Sequence, residues 1–411
     1  MDTIKIQKSS LRGQVKLSGA KNAALKHLTA SVLTSEDVII DRAPNDLLDM
    51  QVHIKMLEKM GKNCHMNGEI LTIREKKINP ELIWNERSIR NSLLILGCLT
   101  TRFGEGKVPL PGGCKLGDRK IDLHVMILRA LGAKVWEEDG YLCAKAEDRL
   151  KGADIKLSLR STGATENGIL CATLAQGKTT IWNPHIRPEV VDLVAMLNNM
   201  GAKIRIFGQK CIEILGVDGL SGVTHQPIPD NMEALTWAIG AAITDGNLEI
   251  LDFPFQQLEI PLIHLRESGL KYYRGETSLI IKGSEPYPVE ISTGPYPGIN
   301  SDMQPLLAVF GAMSKGESRI IDLRFPGRYG YAEELAKMGM NYQIDGQLLK
   351  IHGGNSLTGA KVRALDLRAG IALVLAGLTA EGETTIENAW QIHRGYENLV
   401  TKLKGMGVTI S

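Results

Sequence analysis

The chain has 411 residues, with 48 Lys and Arg against 46 Asp and Glu, a net charge of +2 and no long run of either sign. That balance argues against a nucleic-acid binder, which normally shows a basic footprint. No stretch approaches the roughly 18 apolar residues of a membrane span, and residues 1–14 lack the apolar centre of a signal peptide, so a cytoplasmic protein without membrane attachment is expected.

In chain order, residues 3–7 (TIKIQ) alternate in the manner of a strand. Residues 22–33 then begin a pattern that recurs six times. An Ala/Leu/Gly-rich helical run (22–33, 89–99, 165–174, 232–243, 303–313, 367–378) carries few polar residues, so it reads as a buried helix packed through small side chains. A Gly turn and a β-type run such as 179–182 (TTIW) follow, then an amphipathic helix such as 190–200. Each second helix ends at a glycine: Gly61, Gly132, Gly201, Gly269, Gly339 and Gly407, with separations of 71, 69, 68, 70 and 68 residues. After five of them comes a hairpin signal, as in 202–207, GQK, 211–215. The sixth is followed only by residues 408–411, so the N-terminal strand is expected to complete the last unit.

Each unit therefore reads as helix, strand, helix, hairpin. Six such units exceed one core, and two domains of three units are expected: 21–229, and 1–20 plus 230–411. A cleft between two such lobes is a common place for a ligand.

The same address in each unit carries polar residues. Starts of first helices hold Lys21 and Asn22, Arg87 and Arg90, Ser161, Thr162 and Gly163, Asp230 and Glu233, Ser301 and Asp302, and Asp366 with Arg368. Loops before second helices hold Asp46, Cys114 with Arg119, Arg187 with Glu189, Gln256 with Glu259, Arg328, and His393 with Arg394. Helix N-termini favour anions, and arginine there works against the dipole unless an anion or carboxylate is supplied. The accumulation of basic groups suggests one polyanionic ligand. Alternatively Asp230, Asp366 and Ser301 are simple N-caps, and each arginine makes a surface ion pair.

Residues 110–124 (LPGGCKLGDRKIDLH) form the most distinctive loop. Pro-Gly-Gly precludes regular structure and exposes Cys114, whose thiolate Lys115 and Arg119 would favour. Cys114 is thus the best nucleophile or proton donor, whereas Cys98 and Cys171 lie inside apolar helices. The six cysteines include no C-x-x-C pair, and metal patterns and Gly-rich nucleotide fingerprints are absent, so neither metal nor cofactor is expected.

Together these segments resemble the enolpyruvyl transferases, above all the branch whose acceptor is UDP-N-acetylglucosamine. The matching stretches are LSGAKNAAL (17–25), 110–124, STGATEN (161–167), PEVVDL (188–193), IPD (228–230), PYPGINSDMQ (295–304), LDLRAGIALVLAGLTAEG (365–382) and HRGYENL (393–399). The resemblance implies an α/β fold, a two-domain inside-out α/β barrel with three repeated units per domain. It implies transfer of the enolpyruvyl group of phosphoenolpyruvate to the 3-hydroxyl of UDP-N-acetylglucosamine with release of phosphate, the first committed step towards peptidoglycan. Lys21, Arg119 and Arg394, with Arg90, would bind the phosphate and carboxylate of phosphoenolpyruvate. Cys114 would protonate the methylene carbon or form a transient adduct, and would be alkylated by fosfomycin. Asp302 would take the proton from the attacking hydroxyl. Asp366 and Arg368 would orient the anion site, with Arg328 supplying a further basic group. Asn22 would contact the sugar or the tetrahedral intermediate. Arg119, Lys120, Ile121, Asp122 and Leu123, with Ser161, Thr162 and Gly163, would hold the uridine and diphosphate.

The chain departs from the family pattern at Lys26 and Lys120, where proline is usual, at Asn231, where arginine is usual, and at residues 325–331. These leave open a relative acting on another uridine nucleotide such as UMP. A shikimate 3-phosphate enzyme normally lacks the PGGC cysteine, and a sliding clamp would need a lysine-lined inner face.

Overall fold

The computed structural model describes residues 2–87, 89–111 and 121–411. Cys114, Arg119 and Lys120 therefore lie outside the described residues. The helices are α1 (Lys21–Ala30), α2 (Leu48–Met60), α3 (Ser92–Phe103), α4 (Asp122–Ala130), α5 (Thr162–Thr173), α6 (Pro188–Asn199), α7 (Asn231–Ile243), α8 (Glu259–Glu267), α9 (Gln304–Met313), α10 (Gly330–Ala336), α11 (Leu367–Thr379) and α12 (Leu399–Gly405). The odd-numbered helices carry the Ala/Leu/Gly runs and are buried along nearly their whole length, as α7 and α11 show at every residue. None of the described helices is long and apolar enough to cross a membrane.

All six repeat glycines have left-handed backbone, with φ between 86° and 111°. That conformation terminates each second helix and turns the chain into its hairpin, which is why the period is so regular. A different demand falls on Gly97, where a β-carbon would come within 2.3 Å of the Asn167 side chain on α5 and 2.7 Å of Cys171 Sγ. The absence of a side chain there lets α3 and α5 touch.

The described strands form six open sheets, none closing on itself. A representative sheet has the order Lys203–Phe207, Cys211–Leu215, Lys178–Trp182, Asp154–Lys156. Its hairpin is antiparallel, its last pair parallel. The sequence reading of helix, strand, helix, hairpin omitted that short parallel strand, which follows the hairpin and precedes the next buried helix. At three residues it is too short to show an alternation.

The chain divides into two units: residues 2–18 with 229–411, and residues 19–111 with 121–228 of those described. In the first unit α7, α9 and α11 touch pairwise; in the second α3 touches both α1 and α5. The buried odd-numbered helices lie inside each unit and the sheets outside, the inside-out arrangement. The short parallel strands are exchanged at the two crossings. Arg12–Lys16, which precedes α1, pairs with Asn247–Leu251, which follows α7. Val223–His225, which precedes α7, pairs with Val38–Ile40, which follows α1. The N-terminal strand Thr3–Gln7 lies antiparallel to Glu383–Glu387, and Ile6 bridges to Ile410. It thereby occupies the central position that the second hairpin strand holds in the other units.

Candidate active site

In the first unit Asp302 stands just before α9, and two arginines converge on it. Arg328 Nη1 donates to Asp302 Oδ1 at 2.9 Å, and Arg368 Nε approaches Oδ2 at 3.4 Å. Arg328 Nη2 also lies 3.7 Å from Asp366 Oδ2. The arginine side chains are only 9% and 6% exposed, whereas Asp302 is 29% exposed and keeps a face towards solvent. Burial opposes the charge of Arg328 and of Arg368, but the surrounding carboxylates outweigh it and raise both pKa values further. Arg368 is also stacked 5.9 Å over the Tyr396 ring, whose hydroxyl shares a 2.7 Å hydrogen bond with Thr236 Oγ1. Burial lifts the Tyr396 hydroxyl to about 12.

The loop that delivers Arg328 is organised by Asp322, a fully buried carboxylate outside the sequence reading. Asp322 Oδ1 accepts from the backbone N–H groups of Arg324 and Phe325 and from Thr293 Oγ1, each at 2.9 Å. Its other oxygen accepts from Ser301, and Gln304 Nε2 donates to the Arg328 carbonyl at 2.9 Å. One carboxylate thus ties the loop 322–328 to the start of α9. The signal was the isolated Asp after an apolar strand, but that pattern also fits an ordinary turn.

Asp366 accepts from the N–H groups of Arg368 and Ala369 at 2.7 and 2.9 Å, and Asp230 from those of Met232 and Glu233 at 2.8 and 2.9 Å. Both are N-caps, as one reading of the sequence held. Ser301 is not: α9 begins at Gln304 behind Met303, and Ser301 bonds to Asp322 instead. Arg394 ends the short 3₁₀ helix Ala389–Arg394, half-buried, and donates to Gln391 Oε1 at 3.1 Å.

In the second unit Lys21 opens α1, and its Nζ lies 3.0 Å from Asp49 Oδ2, both side chains buried. Asn22 beside it is half-buried. Arg90 does not lie inside a helix, because α3 starts at Ser92; the N-cap Asn91 turns its amide to the Leu25 carbonyl at 3.1 Å. Ile121 precedes α4, Asp122 is exposed in its first turn, and Leu123 is half-buried there. Ser161 caps α5 through the Ala164 N–H, and Thr162 Oγ1 meets His185 Nδ1 at 2.9 Å. The starts of α4 and α5 come together: a β-carbon on Gly163 would stand 3.4 Å from the His124 ring. Burial, aided by the charges of Arg90 and Lys26, pushes His124 down to about 3. Lys26 is itself buried, with Nζ 3.4 Å from Asn91 Oδ1 and 3.6 Å from Glu166 Oε2. Burial lifts Glu166 to about 7 against the opposing pull of Lys26.

The basic groups at helix starts are met by carboxylates of the chain itself: Lys21 by Asp49, Arg187 by Glu189 at 3.0 Å, and Arg328 by Asp302 and Asp366. Their number alone therefore does not require a polyanionic ligand. Asp49, the second residue of α2, escaped the sequence analysis, which took Asp46 in the loop before that helix as the polar residue of this address.

A family model for EPSP synthase (3-phosphoshikimate 1-carboxyvinyltransferase) matches residues 6–403 of this sequence. The chain belongs to the enolpyruvyl (carboxyvinyl) transferase family. It is 43% identical over 403 residues, covering 97% of this chain and 95% of the relative, to UDP-N-acetylglucosamine 1-carboxyvinyltransferase 1 of Carboxydothermus hydrogenoformans. It is 40% identical to the UDP-N-acetylglucosamine 1-carboxyvinyltransferase of Aeromonas hydrophila, covering 99% of this chain and 98% of the relative. Among solved structures, the enolpyruvyl transferase NikO from Streptomyces tendae superposes with a TM-score of 0.90 at 26% identity, covering 100% of this chain and 98% of that one. An enolpyruvyl transferase is an enzyme, so the clusters around Asp302 and Lys21 belong to a catalytic protein.

Proposed function

We propose that this enzyme transfers the enolpyruvyl group of phosphoenolpyruvate to the 3-hydroxyl of UDP-N-acetylglucosamine, releasing phosphate and feeding peptidoglycan precursor synthesis in the cytoplasm. The observation that carries the acceptor is the 43% identity, end to end, to a relative named for that reaction. A uridine nucleotide such as UMP as acceptor rests only on the departures at Lys26, Lys120, Asn231 and residues 325–331, whereas the relatives of Carboxydothermus hydrogenoformans and Aeromonas hydrophila are both named for UDP-N-acetylglucosamine.

In this reading Lys21, Arg90, Arg119 and Arg394 bind the phosphate and carboxylate of phosphoenolpyruvate. Cys114 delivers a proton to the methylene carbon, which makes the adjacent carbon electrophilic. Asp302 accepts the proton of the sugar hydroxyl as its oxygen forms the new C–O bond. Loss of a methyl proton and of phosphate from the tetrahedral adduct then regenerates the double bond. The partial exposure of Asp302 supports its role, because a substrate hydroxyl can reach it while Arg328 and Arg368 hold the carboxylate in place. Asp366 and Arg368 orient that carboxylate, and Arg328 adds its charge. Ile121, Asp122 and Leu123 with Ser161, Thr162 and Gly163 receive the nucleotide; the contact between Gly163 and His124 supports a shared role for the two segments. Asn22 meets the sugar.

The test is phosphate release from phosphoenolpyruvate with UDP-N-acetylglucosamine, by the unaltered enzyme and by Cys114→Ala. Turnover abolished by the substitution is expected. Full turnover in Cys114→Ala removes the thiol from the chemistry, and an unmodified Cys114 after fosfomycin treatment, read by mass spectrometry, removes it from the phosphoenolpyruvate site.

A further inference from the structure

His27 in α1, Asp192 in α6 and His225 at the end of the strand Val223–His225 meet inside the second unit, and none of the three has been given a role above. Asp192 Oδ1 lies 2.9 Å from His225 Nε2, and Asp192 Oδ2 lies 3.1 Å from His27 Nε2. The three ligand-type atoms are all within 4.8 Å of one another. The two imidazoles stand edge to face, centroids 4.6 Å apart at 78°.

His27 is the informative member. Its side chain is 0% exposed, Nδ1 has no hydrogen-bond partner among the described residues, and Nε2 faces Asp192 Oδ2 at 3.1 Å. Leaving a buried polar group unpaired costs about 1–3 kcal/mol, so such a group calls for a physical explanation.

We propose that His27, Asp192 and His225 bind one divalent transition-metal ion of the zinc type, through the Nε2 atoms of both histidines and the Asp192 carboxylate. Two neutral imidazoles and a carboxylate suit zinc, whereas magnesium and calcium prefer oxygen donors. Zinc bonds of about 2.0–2.2 Å in a tetrahedral arrangement need donor atoms about 3.3 Å apart. The present separations are 2.9 and 3.1 Å to the two Asp192 oxygens, and all donors lie within 4.8 Å of one another, so an ion requires the short contacts to open slightly and the widest pair to draw in. The Ile228 N–H, 3.3 Å from Asp192 Oδ2, supplies an outer hydrogen bond that orients the carboxylate. Three protein donors leave a fourth position for water.

Such an ion joins three elements that hydrogen bonding alone connects incompletely. It braces α1, whose first residues are Lys21 and Asn22, against α6 and against the last strand before the crossing at residue 228. Along the helix axis His27 is about 9 Å from Lys21, at 1.5 Å per residue. The ion is therefore a brace of the scaffold, independent of the transfer chemistry proposed above. Sequence spacing gave no hint of it, because the three donors come from positions 27, 192 and 225.

The full chain is stripped with EDTA, dialysed against zinc and then against metal-free buffer, and its metal content measured alongside thermal unfolding. Cobalt substitution adds visible absorption bands that report tetrahedral coordination. The expected result is one retained zinc per chain, a higher Tm with zinc than without, and tetrahedral cobalt bands. All three are lost in His225→Gln and in Asp192→Asn. Zinc retained equally by His225→Gln overturns the proposal, since the metal then sits on other histidines. Failure of the unaltered protein to retain zinc or to show cobalt bands overturns it too, whatever the folding of either variant.

Discussion

Arg328 donates to Asp302 across 2.9 Å while its other terminal nitrogen faces Asp366, so one buried guanidinium holds both carboxylates of the first unit's cluster. Asp302→Asn preserves shape and still accepts from Arg328, but removes the basic oxygen. The expected kcat falls by about 10²- to 10⁴-fold, the range of a lost general base, with KM little changed. Steady-state phosphate release measures this, and unimpaired kcat in the variant rules Asp302 out as the base.

Glu166 gives a prediction for stability against pH. Burial raises its folded pKa from 4.5 to about 7, with Lys26 opposing. Between those values the folded chain binds a proton that the unfolded chain has released, so stability falls as pH rises from about 4.5 to 7 and is flat above. The shift corresponds to a loss on the order of 3 kcal/mol, at about 1.4 kcal/mol per pKa unit. Glu166→Gln, which cannot ionise, should gain Tm relative to the unaltered protein at pH 7.5 and lose that gain near pH 4.5. A Tm difference that does not change with pH contradicts the assignment.

The repeat glycines are not equivalent. Gly61 has φ of 111° and an added β-carbon would fall 1.9 Å from the Lys77 carbonyl oxygen, whereas Gly132, at 100°, has nothing within 4 Å. Alanine at 132 meets only the left-handed penalty of about 1–2 kcal/mol. Alanine at 61 must also displace backbone, and should lower Tm considerably more. Equal Tm losses in the two variants would show that the Lys77 segment yields freely.

Much of the architecture was legible because the six glycines impose a backbone requirement that sequence displays directly, and because the buried helices are apolar all round. The short parallel strands were not, since three residues such as Asp154–Lys156 carry no period. In the site, Asp302, Asp366, Arg328 and Arg368 were legible as polar residues at helix-start and loop addresses, but their mutual pairing was not. Distances between positions such as 302 and 368 are set by tertiary packing alone. Asp322, Asp49 and the Lys26–Glu166 pair were missed for the same reason: a buried polar group looks like a surface one until its neighbours are known. Helix starts also misled in one respect, because Ser301 serves a buried carboxylate and not the helix it precedes.

The most direct measurement of the central claim is the mass of the product formed from phosphoenolpyruvate and an equimolar mixture of UDP-N-acetylglucosamine and UMP. The account predicts that UDP-N-acetylglucosamine gains one enolpyruvyl unit for each phosphate released while UMP is returned unchanged. UMP carrying the enolpyruvyl group, with UDP-N-acetylglucosamine untouched, would contradict it.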